Sequence, residues 1–156
     1  MIFNNVLNRE LIELNMVAKT KEEVINEMAG MLFKSGAITS KEAFVNDVFE
    51  RERIGTTGVG MGIAIPHGRS GSVINTSIAI AKLKEPVDWD SLDGKPVSLV
   101  FLLAVPKDGG ENIHLKLLSG IASMLMEEDF REKLFNARDK EEVLNIMGFT
   151  KEDDLK

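Results

Sequence analysis

The run "VSLVFLLAV", residues 97–105, constrains the fold more than any other stretch of the chain. It falls well short of the roughly 18–20 apolar residues that cross a bilayer. It is short, β-branched and bounded by turn residues, so it predicts a strand buried on both faces. "TSIAIAKL" at 76–83 predicts a second strand, and "DWDSLDGKPV" between the two reads as a loop.

Helix signals flank these strands. "TKEEVINEMAGMLFKSG" opens with Thr20 and Glu23 at capping-box spacing, carries Val24, Met28, Met31 and Leu32 on one face, and stops at Gly36. "TSKEAFVNDVFERER" repeats the pattern with Thr39 and Glu42 as its cap, and with Phe44, Val45, Val48 and Phe49 as its stripe. "ENIHLKLLSGIASMLM" lines up His114, Leu117, Leu118, Ile121 and Leu125. "DKEEVLNIMG" is capped by Asp139 and Glu142 and stopped by Gly148. The alternation predicts an α/β fold.

A chain of 156 residues, 44% hydrophobic and 28% charged, has the material for one domain with one sizeable core. The polar end "TKEDDLK" reads as a frayed tail, so the expected division is a domain over 1–150 and a C-terminal tail over 151–156. The net charge of -6 argues against a nucleic-acid partner, which needs a concentrated basic face. With no cysteine there is no disulfide framework, thiolate nucleophile or cysteine zinc site. Neither a leader pattern nor a membrane-spanning run is visible, so a cytoplasmic chain without direct membrane insertion is expected.

The chain has two histidines. His67 lies in "GIAIPHGRS", where Pro66 fixes its own φ and biases Ile65 to an extended form, and Gly68 leaves the far side of the ring unscreened. The preceding "IGTTGVGMG" is rich in glycine and is a candidate nest of amides for an anion. Each feature also has an ordinary explanation. His67 can be a turn residue at a strand end, and His114 a hydrogen-bonded, partly buried helix residue. Arg51 and Arg53 suit a helix C-terminus, where cations complement the dipole.

Other site types fit worse. Two histidines without H-E-x-x-H spacing do not make a zinc site. Neither G-x-x-x-x-G-K-[ST] nor a G-x-G-x-x-G opening a helix is present, and "GRSGS" lacks the spacing of a nucleophile elbow. What remains fits phosphoryl chemistry, which needs in-line access to a nucleophile and stabilisation of charge on equatorial oxygens.

With "RERIGTTGVGMGIAIPHG", "FLLAVP" and "HLKLLSGIASML" in view, the chain resembles the fructose/mannitol class (type 2) of phosphotransferase-system enzyme IIA, which includes the nitrogen-related subtype. The resemblance runs from "VLNRE" at 6–10 through the last helix. It implies a mixed β-sheet flanked by helices, with a phosphohistidine in a shallow cleft. It also implies that His67 accepts a phosphoryl group on Nε2 from an HPr-like phosphocarrier protein, that His114 stabilises the phosphorylated ring, and that Arg51 is the site arginine, with Arg53 a less certain neighbour. The receiver it implies is the IIB component of a sugar permease. No cofactor and no metal are implied.

Because a protonated imidazole cannot attack, phosphorylation is expected to weaken as pH falls through about 6 to 7. Val59, Met61 and Ile63 are candidates for the apolar rim of a docking face, or for core. Two roles fit the same chemistry. One is delivery of phosphate towards a sugar permease, and the other is regulation, in which the phosphorylation state controls binding to other proteins. "TTG" before "GIAIPHG" leans to the regulatory role, whereas "DWDSLDGKPV" and "FREKLFNARDKEEV" lean to transport. A non-catalytic α/β binding module requires the whole motif string to be coincidence.

Overall fold

The computed structural model describes residues 6–109 and 111–148; the expected tail at 151–156 lies outside the described residues. A short 3-10 turn, Arg9–Leu11, leads into β1 (Ile12–Met16), α1 (Lys21–Lys34) and α2 (Lys41–Ile54). Three short strands follow, β2 (Gly58–Gly60), β3 (Ile63–Ala64) and β4 (His67–Ser70), and then two long ones, β5 (Ser77–Val87) and β6 (Val97–Pro106). Helices α3 (Glu111–Leu125), α4 (Glu128–Asn136) and α5 (Lys140–Ile146) complete the described elements.

The sheet runs β1-β5-β6-β3-β2, with β4 also paired to β6. It is mixed: β5 is antiparallel to β6, while β1 is parallel to β5 and both β3 and β4 are parallel to β6. Strand β6 is buried on both faces, as expected, and its side chains alternate between two cores. Val100, Leu102 and Ala104 pack with Val24, Met28, Leu32, Phe44 and Val48 of α1 and α2. Leu99, Phe101 and Leu103 pack with Leu117, Ile121, Leu134 and Val143 of α3, α4 and α5. One sheet with helices on both faces is a single α/β domain.

The capping chemistry explains where the helices begin. Thr20 accepts from the Glu23 amide at 3.1 Å, and Asp139 accepts from the Glu142 amide at 2.9 Å. For α2 the cap is Ser40, which accepts from Ala43 N at 3.1 Å, and not Thr39. The Thr39 hydroxyl instead donates to the Ser72 carbonyl at 3.2 Å, a tertiary contact that local spacing does not reveal.

Strands β3 and β4 lie along the same edge of β6, with Ile63 opposite Leu99 and His67 opposite Leu103. The interruption between them is Ile65–Pro66. Proline has no N–H to give the ladder, but its carbonyl accepts from Leu103 N at 3.0 Å. Ile65 N turns away from β6 and donates to the Thr57 carbonyl at 3.0 Å. This break sets the direction of the Ile65 carbonyl and brings His67 in as the first residue of β4.

Gly68 serves the packing of α2 rather than access to the imidazole. A Cβ there would lie 2.9 Å from Val48 Cγ2 and 3.1 Å from Phe44 Cε1, so its absence lets the helix settle directly on β4.

Candidate phosphoryl-transfer site

His67 and His114 come together across the top of the sheet, with ring centroids 4.8 Å apart and planes inclined at 49°. His67 is 8% exposed. Its Nδ1 lies 3.1 Å from the Ile65 carbonyl oxygen. A carbonyl can only accept, so in the neutral ring Nδ1 carries the proton and Nε2 keeps its lone pair. Among the described residues the sealed and unpartnered side-chain polar atoms are Ser91 Oγ and His114 Nε2; His67 Nε2 is not one of them. The ring is held by its inner nitrogen while its outer one retains access.

Burial holds His67 below the ordinary imidazole value, opposed by the Ile65 carbonyl, reinforced by the Arg51 charge and opposed again by Glu52. His114 is lowered too, by burial first and then by His67, Arg69 and Arg51. Both rings are therefore mostly neutral at pH 7, and the loss of nucleophile on acidification shifts to lower pH than for an unperturbed histidine.

The structure brings Arg51 to the histidines: it stands in the last turn of α2, its Nη1 donates to the Gly55 carbonyl at 2.9 Å, and its charge acts on both rings. Arg53 is not brought in. It lines a groove with Lys21, Glu22, Phe49 and Glu52 on the α1 side of α2. Two residues that the sequence reading passed over do reach the site. Arg69 lies two residues beyond His67 on β4, where strand alternation returns a side chain to the same face, and its Nη2 donates to the Lys107 carbonyl at 2.9 Å. Glu52 acts on His67 from α2.

The glycine-rich segment is not an amide nest. Gly58 and Gly60 pair with Ala64 and Ile63 in a hairpin. Gly58 N donates to Thr56 Oγ1 at 3.1 Å, and Met61 N to Asp93 Oδ2 at 3.0 Å. Gly58 is required by close approach, since a Cβ there would lie 2.3 Å from Ser91 Oγ. Of the candidate rim residues, Val59 and Met61 are 40% and 48% exposed, whereas Ile63 is wholly buried in the core. Among the described residues no group of three or more histidine or carboxylate side chains is placed to hold a metal ion, and no helix is long and apolar enough to cross a membrane.

A mixed sheet with paired, neutral imidazoles beside a guanidinium is the setting in which relatives become informative. Residues 5–148 match the family described as "Phosphoenolpyruvate-dependent sugar phosphotransferase system, EIIA 2", and the chain belongs to that family of phosphotransfer components. It is 39% identical over 148 residues to the PTS system fructose-specific EIIABC component of Bacillus subtilis (strain 168), covering 95% of this chain and 23% of that longer protein. It is also 39% identical over 139 residues to the PTS system fructose-specific EIIA component of Haloferax volcanii, covering 89% of this chain and 90% of the relative.

Among solved structures it is similar to the nitrogen regulatory protein IIA-Ntr of Neisseria meningitidis, with a TM-score of 0.88 at 35% identity, covering 94% of this chain and 99% of that one. It is similar as well to the IIAMTL of Escherichia coli seen in complex with phosphorylated IIBMTL, with a TM-score of 0.78 at 26% identity, covering 92% of this chain and 98% of that one.

Proposed function

We propose that the chain is a relay for phosphoryl groups: His67 Nε2 accepts the group from an HPr-like phosphocarrier and passes it to the IIB component of a fructose- or mannitol-type permease. The observation that carries this reading is the Nδ1 contact to the Ile65 carbonyl at 3.1 Å, which reserves the Nε2 lone pair for attack. As the Nε2–P bond forms, the bond from phosphorus to the donor's ring nitrogen breaks, and that nitrogen keeps the electron pair. The Nδ1 proton stays on the ring, donated to the Ile65 carbonyl throughout, and the product is a phosphoramidate that splits one transfer into two.

His114 Nε2, sealed and without a partner, is suited to donate to a phosphoryl oxygen on His67. Arg51 and Arg69 supply positive charge for the equatorial oxygens. The exposed apolar side chains Val59, Met61 and Ile113 fit a face that receives another protein. The fructose-specific relatives and the mannitol IIA–IIB complex support delivery to a IIB domain.

A regulatory role is the second reading, favoured by the likeness to the Neisseria nitrogen regulatory protein. Incubation with labelled phospho-HPr, followed by fructose- or mannitol-type IIB domains, tests both. The expected result is uptake of one phosphoryl group, absent in His67→Ala, and its onward transfer to IIB. Uptake with no transfer to any IIB domain favours regulation, and full uptake by His67→Ala overturns both.

A further inference from the structure

The His67 tautomer depends on the Ile65 carbonyl, and the Ile65 peptide is itself held by Thr57. Ile65 N donates to the Thr57 carbonyl at 3.0 Å, and the Ile65 carbonyl faces His67 Nδ1 at 3.1 Å. The side chain of Thr57 is held in turn. Trp89 Nε1, which can only donate, gives its proton to Thr57 Oγ1 at 3.1 Å. Thr57 Oγ1 therefore directs its single proton to Glu52 Oε1, with which it is in contact, and Thr57 N donates to Glu52 Oε2 at 3.4 Å. Lys21 Nζ pairs with Glu52 Oε2 at 2.8 Å, and the Glu52 and Lys21 side chains are only 5% and 19% exposed.

Thr57 is 4% exposed and Trp89 1%. Each side-chain polar atom of Lys21, Glu52, Thr57 and Trp89 thus has a partner, which gives Thr57 one rotamer and one place. Glu52 also follows Arg51 directly on α2, so the element that delivers the guanidinium is clamped to the element that orients the imidazole.

We propose that Glu52 and Thr57 are positioning residues for the phosphoryl-accepting histidine, holding its Nδ1–H tautomer through the chain Glu52–Thr57–Ile65–His67. This rests on the assignment of His67 as acceptor, but its first readout does not require phosphate.

The test is nitrogen-15 NMR of the His67 ring in the unphosphorylated protein, together with single-turnover transfer from phospho-HPr, in Thr57→Val, Thr57→Ser and Glu52→Gln. Thr57→Val keeps the volume and removes the hydroxyl. It is expected to move His67 from a single Nδ1–H form to a mixture of tautomers, and to slow transfer by about 10- to 100-fold, the scale on which small misplacements act. Thr57→Ser, which keeps the hydroxyl, is expected to restore the wild-type tautomer and a rate within about twofold of it. Should Thr57→Val fail to fold, Glu52→Gln carries the same expectation.

A folded Thr57→Val or Glu52→Gln variant that keeps one Nδ1–H form at the wild-type rate overturns the proposal, as does serine behaving like valine. If the tautomer responds as expected while His67→Ala still takes up phosphate, the positioning stands and the acceptor assignment falls.

Discussion

His114 Nε2 is sealed from solvent without a hydrogen-bond partner, in a ring whose centroid lies 4.8 Å from that of His67. A buried donor or acceptor left unmade carries a cost, so its presence beside a nucleophile points to a partner that arrives with the reaction. His114→Ala is expected to leave the fold intact, since the helix position is half-exposed, and to slow phosphoryl uptake at His67 by about 100-fold, the scale of one lost donor to a developing anion. Rapid-quench measurement with phospho-HPr checks this; an unchanged rate would remove His114 from the site.

Acidification should destabilise the protein in a defined window. Both histidines sit below the imidazole value of 6.5 in the folded state. Between that value and their lowered folded values, the unfolded chain binds protons that the folded chain excludes, so stability falls as pH drops below about 6.5 and is fully present above it. Urea midpoints at pH 7.5 and 5.5 should differ in that direction, and His67→Gln should reduce the difference. A midpoint that rises on acidification through this range would contradict the sign.

Gly68→Ala should cost about 1–3 kcal/mol, because the added methyl meets Val48 and Phe44, both wholly buried. Shortening Val48 to alanine makes room for it. Gly68→Ala combined with Val48→Ala is therefore expected to be less destabilised than the sum of the single changes, as measured by urea denaturation. Strict additivity would place the strain elsewhere.

These sites differ in how far the sequence discloses them. Strand β6 is legible because an unbroken apolar run admits few other fates, and α1 and α5 because a threonine or aspartate precedes each stripe at cap spacing. Helix α4 is not, since Glu127 stands at its N-cap without a side-chain cap hydrogen bond. Strands β1, β3 and β4 exist because β5 or β6 is there to pair with, and β2 because β3 is, a non-local cause that a short window cannot contain.

The histidines and Arg51 stand out through a motif. Glu52 does not, because a glutamate amid "ERER" looks solvated until Lys21 and Thr57 converge on it from other elements. Arg69 was open to discovery by counting two residues along the strand from His67. The glycines misled in the opposite way: Gly60 and Gly62 adopt positive φ for the hairpin, at +101° and +77°, and Gly58 makes room for Ser91, so their number reflects turning and packing rather than a ligand.

Arg51 and Glu52 should move the His67 titration in opposite directions. The groups whose charges face His67 are Arg51 and Glu52 on α2, with His114 on α3 as its titratable neighbour. Arg51 disfavours the imidazolium, so Arg51→Ala should raise the His67 pKa; Glu52 favours it, so Glu52→Gln should lower it. Arg51→Ala should also slow transfer by about 100- to 1,000-fold without abolishing it, through loss of charge stabilisation on the phosphoryl oxygens. Arg53, turned to the groove beside Lys21 and Phe49, should be replaceable by alanine within about twofold of the wild-type rate, as expected for a surface substitution away from the site. Ring NMR titration of the three variants, paired with single-turnover rates, separates the two arginines. Equal losses from Arg51→Ala and Arg53→Ala would mean that net charge on the helix end, rather than one guanidinium, serves the reaction.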